Sequence, residues 1–137
     1  MRFTSGVPQE TFDSRVDALL EGEPPAVAAL VRRLRAVVTA AHPDLEERVN
    51  LSWHGIAFHH RRAGYVCALF PRHGGVNVGF EHGVDLHDPH GRMTGTGRTR
   101  DVRVEVDADS SDDDVVVDYL DLAVDMALDR AEAKRRR

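Results

Sequence analysis

The chain has 137 residues, a length that suits one domain, and its 42% hydrophobic content argues against a disordered protein. Its formal net charge of −5 argues against nucleic-acid binding, and no apolar run approaches the ~20 residues that a membrane-spanning helix needs. The first six residues contain no apolar signal core, so we expect a cytoplasmic protein without a membrane partner. We expect a flexible leader over residues 1–9, one domain over 10–131 and a basic tail over 132–137.

Two helices are predicted near the start of the chain. Apolar residues recur at helical spacing over residues 12–20 and again over residues 27–41. Gly22 is a suitable stop for the first helix, and Pro24 prevents its continuation. Pro25 can be the first residue of the second helix, which we expect to be the main core helix.

The spacing then changes to the period of two that is typical of strands. Val49, Leu51 and Trp53 alternate with polar residues and predict a half-buried strand. Four more strands are predicted, one beginning at Ile56 and the others covering residues 65–70, 76–80 and 99–106. The last strand is expected to point its alternating valines inward: Val102, Val104 and Val106.

An irregular segment, residues 81–98, separates the last two predicted strands. At 18 residues it is long for a connection in a compact domain, and such segments are often functional. An acidic linker follows the last strand, and Ser110 or Ser111 is expected to cap a C-terminal helix. The order of two helices, antiparallel strands and a helix predicts an α+β two-layer sandwich with about five strands.

Several motifs in the middle of the chain resemble the YdhG-like family, a domain-of-unknown-function group. They are Trp53-His54-Gly55-Ile56-Ala57-Phe58, Arg72-His73, Val76-Asn77-Val78-Gly79-Phe80, and the run Gly83, Leu86, Asp88-Pro89, Gly91 and Gly95-Thr96-Gly97. The resemblance spans residues 12–127 and implies a fold similar to the frataxin-like proteins. One branch of the family is proposed to act as an intracellular iron chaperone, which implies iron as a ligand. Asp101 departs from the pattern, since many members have a histidine there, and so does Ile56-Ala57, where a proline is frequent.

Two sets of side chains could bind a metal ion. His82, His87 and His90 lie in the irregular segment, and imidazole is a common ligand of transition metals. The predicted last helix carries a row of carboxylates that would attract iron weakly: Asp118, Asp121 and Asp125. Solvated loop histidines and an ordinary solvated helix face are the alternatives, and no HExxH motif is present.

A second group of residues could bind an organic ligand. The candidates are Trp53, His54, Phe58, His73, Asn77, Arg98 and Arg100. The aromatic residues could line a pocket between sheet and helices, or could be ordinary core. The two arginines flank a glycine-rich turn that could hold an anion, or could be exposed on a β-turn. The single cysteine, Cys67, lies in an apolar run and is expected to be a buried hydrophobic residue.

Three functions fit this sequence, and no catalytic motif selects among them. We favour a non-catalytic module that binds a small ligand or a metal ion. The first alternative is a small enzyme that uses His54, His73 or His87 as acid or base in a sheet–helix pocket. The second is a dimeric scaffold whose free sheet edge or tail pairs with a partner.

Overall fold

The computed structural model describes residues 9–136, with side chains from residue 13 onward. The predicted leader lies outside the described residues except for Gln9, where the first helix begins. The helices are α1 (Gln9–Leu20), α2 (Pro25–Ala41) and α3 (Ser110–Arg135). The strands are β1 (Glu46–Asn50), β2 (Gly55–His60), β3 (Gly64–Arg72), β4 (Gly75–Phe80), β5 (Met93–Thr94) and β6 (Arg100–Glu105).

The six strands form one open sheet in the order β1-β2-β3-β4-β6-β5. Every neighbouring pair is antiparallel. Together with the three helices, this arrangement confirms the predicted α+β class and is consistent with a two-layer sandwich. The sheet has one strand more than expected because the irregular segment contributes the two-residue strand β5.

The core lies between the helices and one face of the sheet. The strand register aligns one row of side chains across four strands: Ile56, Leu69, Val78 and Val102. All four are at most 1% exposed, and they belong to one cluster with Leu34 of α2 and Leu120 of α3. Burying an aliphatic side chain contributes about 1.5–3 kcal/mol, so this row is a main source of stability.

The predicted strand through Trp53 is wrong, because β1 ends at Asn50 and a tight turn follows. Oδ1 of Asn50 accepts a hydrogen bond from the backbone N–H of Trp53 at 3.0 Å. The N–H of His54 donates to the carbonyl of Leu51, and His54 has a φ of 56°. An asparagine side chain that bonds the backbone in this way favours a turn. As a result, Leu51 is 53% exposed and Trp53 is 55% exposed.

The ends of β6 and α3 also differ from the prediction. Val106 follows the end of β6 and is 38% exposed, so it does not face inward. Asp109, and neither predicted serine, caps α3, because its carboxylate accepts from the N–H of Ser111 at 2.9 Å. The helix continues to Arg135, so most of the predicted tail is helical.

The irregular segment is fastened to α3 by the buried Tyr119. Its hydroxyl donates to Asp88 and accepts from the backbone N–H groups of His90 and Arg92, at 3.3 and 3.2 Å. The guanidinium of Arg92 pairs with Asp112 at 3.1 Å. Because the hydrogen bond from Tyr119 favours the charged carboxylate, it lowers the pKa of Asp88 from the ordinary 3.8.

We expect Tyr119→Phe to lower the free energy of unfolding by about 1 kcal/mol at neutral pH, because it removes a donor to Asp88. A lowered carboxyl pKa gives stability that is present above the unfolded pKa and is lost as pH falls through the folded pKa. The wild type should therefore lose more stability than the variant below about pH 4. Urea unfolding from neutral to acid pH measures both effects.

Tyr65→Phe is the matched control, since it removes the hydroxyl of the only other tyrosine in the chain. Equal pH profiles for the wild type and the Tyr119 variant would contradict the assigned role of the Asp88 contact.

Candidate functional site

The described helices all pack on one side of the sheet, which leaves the opposite face uncovered. Alternation along the strands places small residues at the centre of this face: Gly55, Ala57, Ala68 and Gly79. These four residues are nevertheless buried. Their own neighbours on the sheet must therefore shield them from solvent.

The ring of Phe70 provides part of that shield. A methyl group on Gly55 would lie 2.7 Å from Cδ1 of Phe70, and one on Gly79 would lie 3.2 Å from Cε2. The ring therefore extends over β2 on one side and over β4 on the other, in space that only glycine leaves open. The guanidinium of Arg72 stacks over this ring, 5.0 Å from its centroid.

A second group of rings, the aromatic strip of Trp53, Tyr65 and His59, lies next to the turn between β1 and β2. The Tyr65 ring lies 6.2 Å from the ring of Trp53 and 5.5 Å from that of His59, with tilted planes in both pairs. Trp53 is thus an exposed indole at the end of a row of rings. Large exposed aromatic side chains of this kind often mark binding surfaces.

The polar end of the face is formed by β4 and β6. A methyl group on Gly79 would lie 3.0 Å from Oδ1 of Asp101, so this carboxylate and the edge of Phe70 share the space above one glycine. Oδ1 of Asn77 accepts a hydrogen bond from Nη1 of Arg103 at 3.3 Å. Within the described residues, no group donates a hydrogen bond to the carboxylate of Asp101.

Burial of these groups changes their acidity. Desolvation raises the pKa of Asp101, and the nearby charge of Arg72 acts in the opposite direction. Desolvation also raises the pKa of Tyr65, and the charges of Cys67, Glu81 and Asp101 add to that effect. The phenol of Tyr65 therefore stays protonated at neutral pH, and we do not expect it to act as a base.

The residues predicted from the sequence to bind an organic ligand are not brought together. Asn77 lies on the uncovered face and Trp53 lies in the turn before β2, whereas Phe58 is 0% exposed in the core. His73 lies in the turn after β3, and its backbone carbonyl accepts from Arg103. His54 is held by Glu23, with Nε2 and Oε2 2.5 Å apart.

The two arginines of the predicted anion site make internal contacts instead. Nη2 of Arg98 lies 2.6 Å from Oε1 of Glu81. Nε of Arg100 donates to the carbonyl of Gly97 at 2.7 Å. Both contacts help to close the glycine-rich turn before β6, so an anion would have to compete with them.

The residues predicted to bind metal are also dispersed. His90 pairs with Asp118 at 2.8 Å, and Asp121 pairs with His42 at 2.7 Å. Desolvation and the charges of Arg130 and Arg98 lower the pKa of His82. The remaining two, His87 and Asp125, are exposed. Residues 9–136 contain no group of three or more His, Cys, Asp or Glu side chains that could hold a metal ion.

Four of the eight histidines instead connect different elements through a carboxylate. The pairs are His42 with Asp121, His54 with Glu23, His60 with Asp44, and His90 with Asp118, at 2.5–3.4 Å. These contacts give the histidines a structural role. The prediction for Cys67 is confirmed, because the thiol is fully buried and its burial raises the pKa to about 12.

The sequence interpretation missed Phe70, Arg72 and Asp101 as parts of one surface. A usable signal was present in β3, where both faces are apolar although helices cover only one. Comparisons with protein-family models, curated proteins and solved structures found no match. None of the helices in the described part of the chain combines the length and apolar character needed to cross a bilayer.

We expect Gly55→Ala to lower the free energy of unfolding by about 1–3 kcal/mol, because the added methyl group would overlap the ring of Phe70. Gly97→Ala is the control, since nothing lies within 4 Å of its added methyl group. That change should leave stability equal or slightly higher. Chemical denaturation of the two variants measures the difference.

A second substitution tests whether the ring of Phe70 causes the loss of stability in Gly55→Ala. Phe70→Leu in the Gly55→Ala background should recover part of the lost stability, because the smaller side chain leaves space for the methyl group. Equal losses in the Gly55 and Gly97 variants would refute the packing of Phe70 over β2.

Proposed function

We propose that this protein is a non-catalytic binding module that holds a small organic ligand on the uncovered face of its sheet. The observation that carries the proposal is the exposed indole of Trp53, whose ring lies 6.2 Å from that of Tyr65, on a sheet that also carries the carboxylate of Asp101, to which no described group donates a hydrogen bond. Sites for small ligands combine apolar and aromatic surface with a few polar groups that fix orientation. This face supplies both kinds of group within one surface.

The chemistry of the face favours a flat ligand with a hydrogen-bond donor. The aromatic strip of Trp53 and Tyr65 offers a stacking surface for a planar ring. The carboxylate of Asp101 is a free acceptor, so an amine or amidine on the ligand would find a partner there. The guanidinium of Arg72 stacks on the ring of Phe70, and its N–H groups can still donate a hydrogen bond to an acceptor on the ligand.

The alternative functions find less support in the contacts. An enzyme would need a histidine positioned at the site, and His54 is paired with Glu23 while His73 and His87 lie elsewhere. A scaffold would need a free sheet edge. Nη2 of Arg15 donates to the carbonyl of Val49 on the edge strand β1. On the other side of the sheet the edge strand β5 has only two residues, and Nη2 of Arg92 donates to the carbonyl of Arg103 on β6, beyond the pairing with β5. Neither side therefore offers a long strand whose backbone groups are all free.

Membership of the YdhG-like family, a frataxin-like fold and a cytoplasmic location remain parts of this proposal. The antiparallel sheet with helices on one side supports the first two. The metal-binding form is a second candidate, in which iron would bind at α3. It is favoured by the exposed carboxylates Asp118 and Asp121, each of which has an imidazole beside it.

The single tryptophan makes the main proposal directly testable, because its fluorescence reports on Trp53 alone. Benzamidine, a planar ring with a cationic donor, is the probe. We expect a saturable change in fluorescence and an affinity about tenfold weaker in Asp101→Asn, which loses a charge-assisted hydrogen bond. Asp125→Asn removes one exposed carboxylate from α3 and is the matched control. Failure of the probe to bind, or equal affinity in the two variants, would count against the proposed site.

If iron binds at α3, we expect micromolar affinity for ferrous iron, and this affinity should weaken when Asp118 and Asp121 are both changed to Asn. Anaerobic calorimetry of the wild type and the double variant measures it. Asp107→Asn, which removes an exposed carboxylate outside α3, is the control. Unchanged affinity in the double variant would eliminate α3 as the iron site.

A further inference from the structure

A groove of about 750 Å³ lies between the β2–β3 turn and the last turns of α3. Arg62 lines it from the turn, and Lys134 and Arg135 line it from the helix. Leu128 and Ala131 add an apolar wall. None of these residues belongs to the uncovered sheet face, so the groove is a separate surface.

The groove concentrates positive charge in a protein with a net charge of −5. The exposed side chains of Arg61 and Arg62 reach no carboxylate among the described residues, and the same holds for Lys134. Glu132 is shared by Arg135 at 3.1 Å and Arg136 at 3.8 Å. The lining therefore holds three cationic side chains, Arg62, Lys134 and Arg135, and two acidic ones, Asp129 and Glu132. Because Glu132 is paired with Arg135, Arg62 and Lys134 are the lining cations without an ion pair among the described residues.

The helix dipole explains only part of this cluster. Cationic side chains in the last turn stabilise the negative end of a helix, which accounts for Lys134 and Arg135. Arg62 comes from a different element, so the helix dipole does not explain its position in the groove lining. Placing an arginine without a counter-charge beside a basic helix end costs repulsion, which a bound anion would relieve.

The turn that carries these arginines is held in place by His60. Nδ1 of His60 accepts a hydrogen bond from the backbone N–H of Arg62 at 3.1 Å. Nε2 lies 3.4 Å from Oδ2 of Asp44, so the proton of the imidazole is on Nε2. Gly64, with a φ of 81°, completes the turn into β3. The direction of the Arg62 backbone is therefore fixed before any ligand binds.

We propose that this groove binds a compact ligand carrying two or three phosphate groups. Guanidinium groups match the geometry of phosphate oxygens, and Lys134 adds a point charge. Leu128 and Ala131 would contact an apolar part of the ligand. The exposed aspartates Asp121 and Asp125 precede the groove on α3 and would repel an extended polyanion, which favours a compact ligand over a nucleic acid.

Inorganic tripolyphosphate, titrated by calorimetry at low salt, is the first probe. We expect measurable binding to the full chain and an affinity about tenfold weaker in Arg62→Gln and in Lys134→Gln. Arg32→Gln is the matched control, because it removes an exposed arginine of α2 that pairs with Asp17 and does not line the groove. Its neighbour Arg33 pairs with Asp113 in the first turn of α3, at the end of that helix opposite to the groove. The affinity of the Arg32 variant should stay within about twofold of the wild type, since the Debye length at ordinary salt is only about 10 Å.

Absence of tripolyphosphate binding would overturn the proposal, and so would equal losses in the Arg62 and Arg32 variants. A single-stranded oligonucleotide that binds more tightly than tripolyphosphate, with a steeper salt dependence, would also overturn it in favour of nucleic acid. Weak or no oligonucleotide binding supports a compact ligand. Circular dichroism confirms that each variant is folded.

Discussion

Coverage of only one sheet face by helices is the constraint on which the rest of this structure depends. The three helices pack their apolar stripes against the row that contains Leu69 and Val78, and the centre of the other face carries the small residues Gly55, Ala57, Ala68 and Gly79. The uncovered face must therefore shield its own backbone. It does so with small residues and one ring, since Phe70 spreads over the space left by Gly55 and Gly79. A flat surface edged by aromatic and charged groups is the consequence.

A second constraint acts on the segment between β4 and β6. Tyr119 brings its hydroxyl to Asp88 and to two backbone N–H groups, so the segment is bound to α3 although it has little regular structure. Length and glycine content alone favoured a functional loop here. The contacts show that the segment also has a structural role, because they attach it to α3. His90 reinforces that role through its contact with Asp118.

The parts of the fold that the sequence predicts well are those that depend on local spacing. The apolar period of α2 and the alternation of β4 are visible within single segments, and the structure contains both elements. Trp53 was misplaced because the side chain of Asn50 closes a turn that apolar alternation does not reveal. The site was missed for a different reason. Its carboxylate and its ring, Asp101 and Phe70, are 31 positions apart and meet only through strand register.

The residues that the fold does not require are the most informative about function. Most of the described arginines and half of the histidines have internal partners, which leaves them little freedom to bind a ligand. The exposed ring of Trp53, the acceptor of Asp101 and the cations Arg61 and Arg62 have no such role among the described residues. Exposing an indole and clustering like charges both cost free energy. These costs are the reason for proposing a ligand at each of the two surfaces.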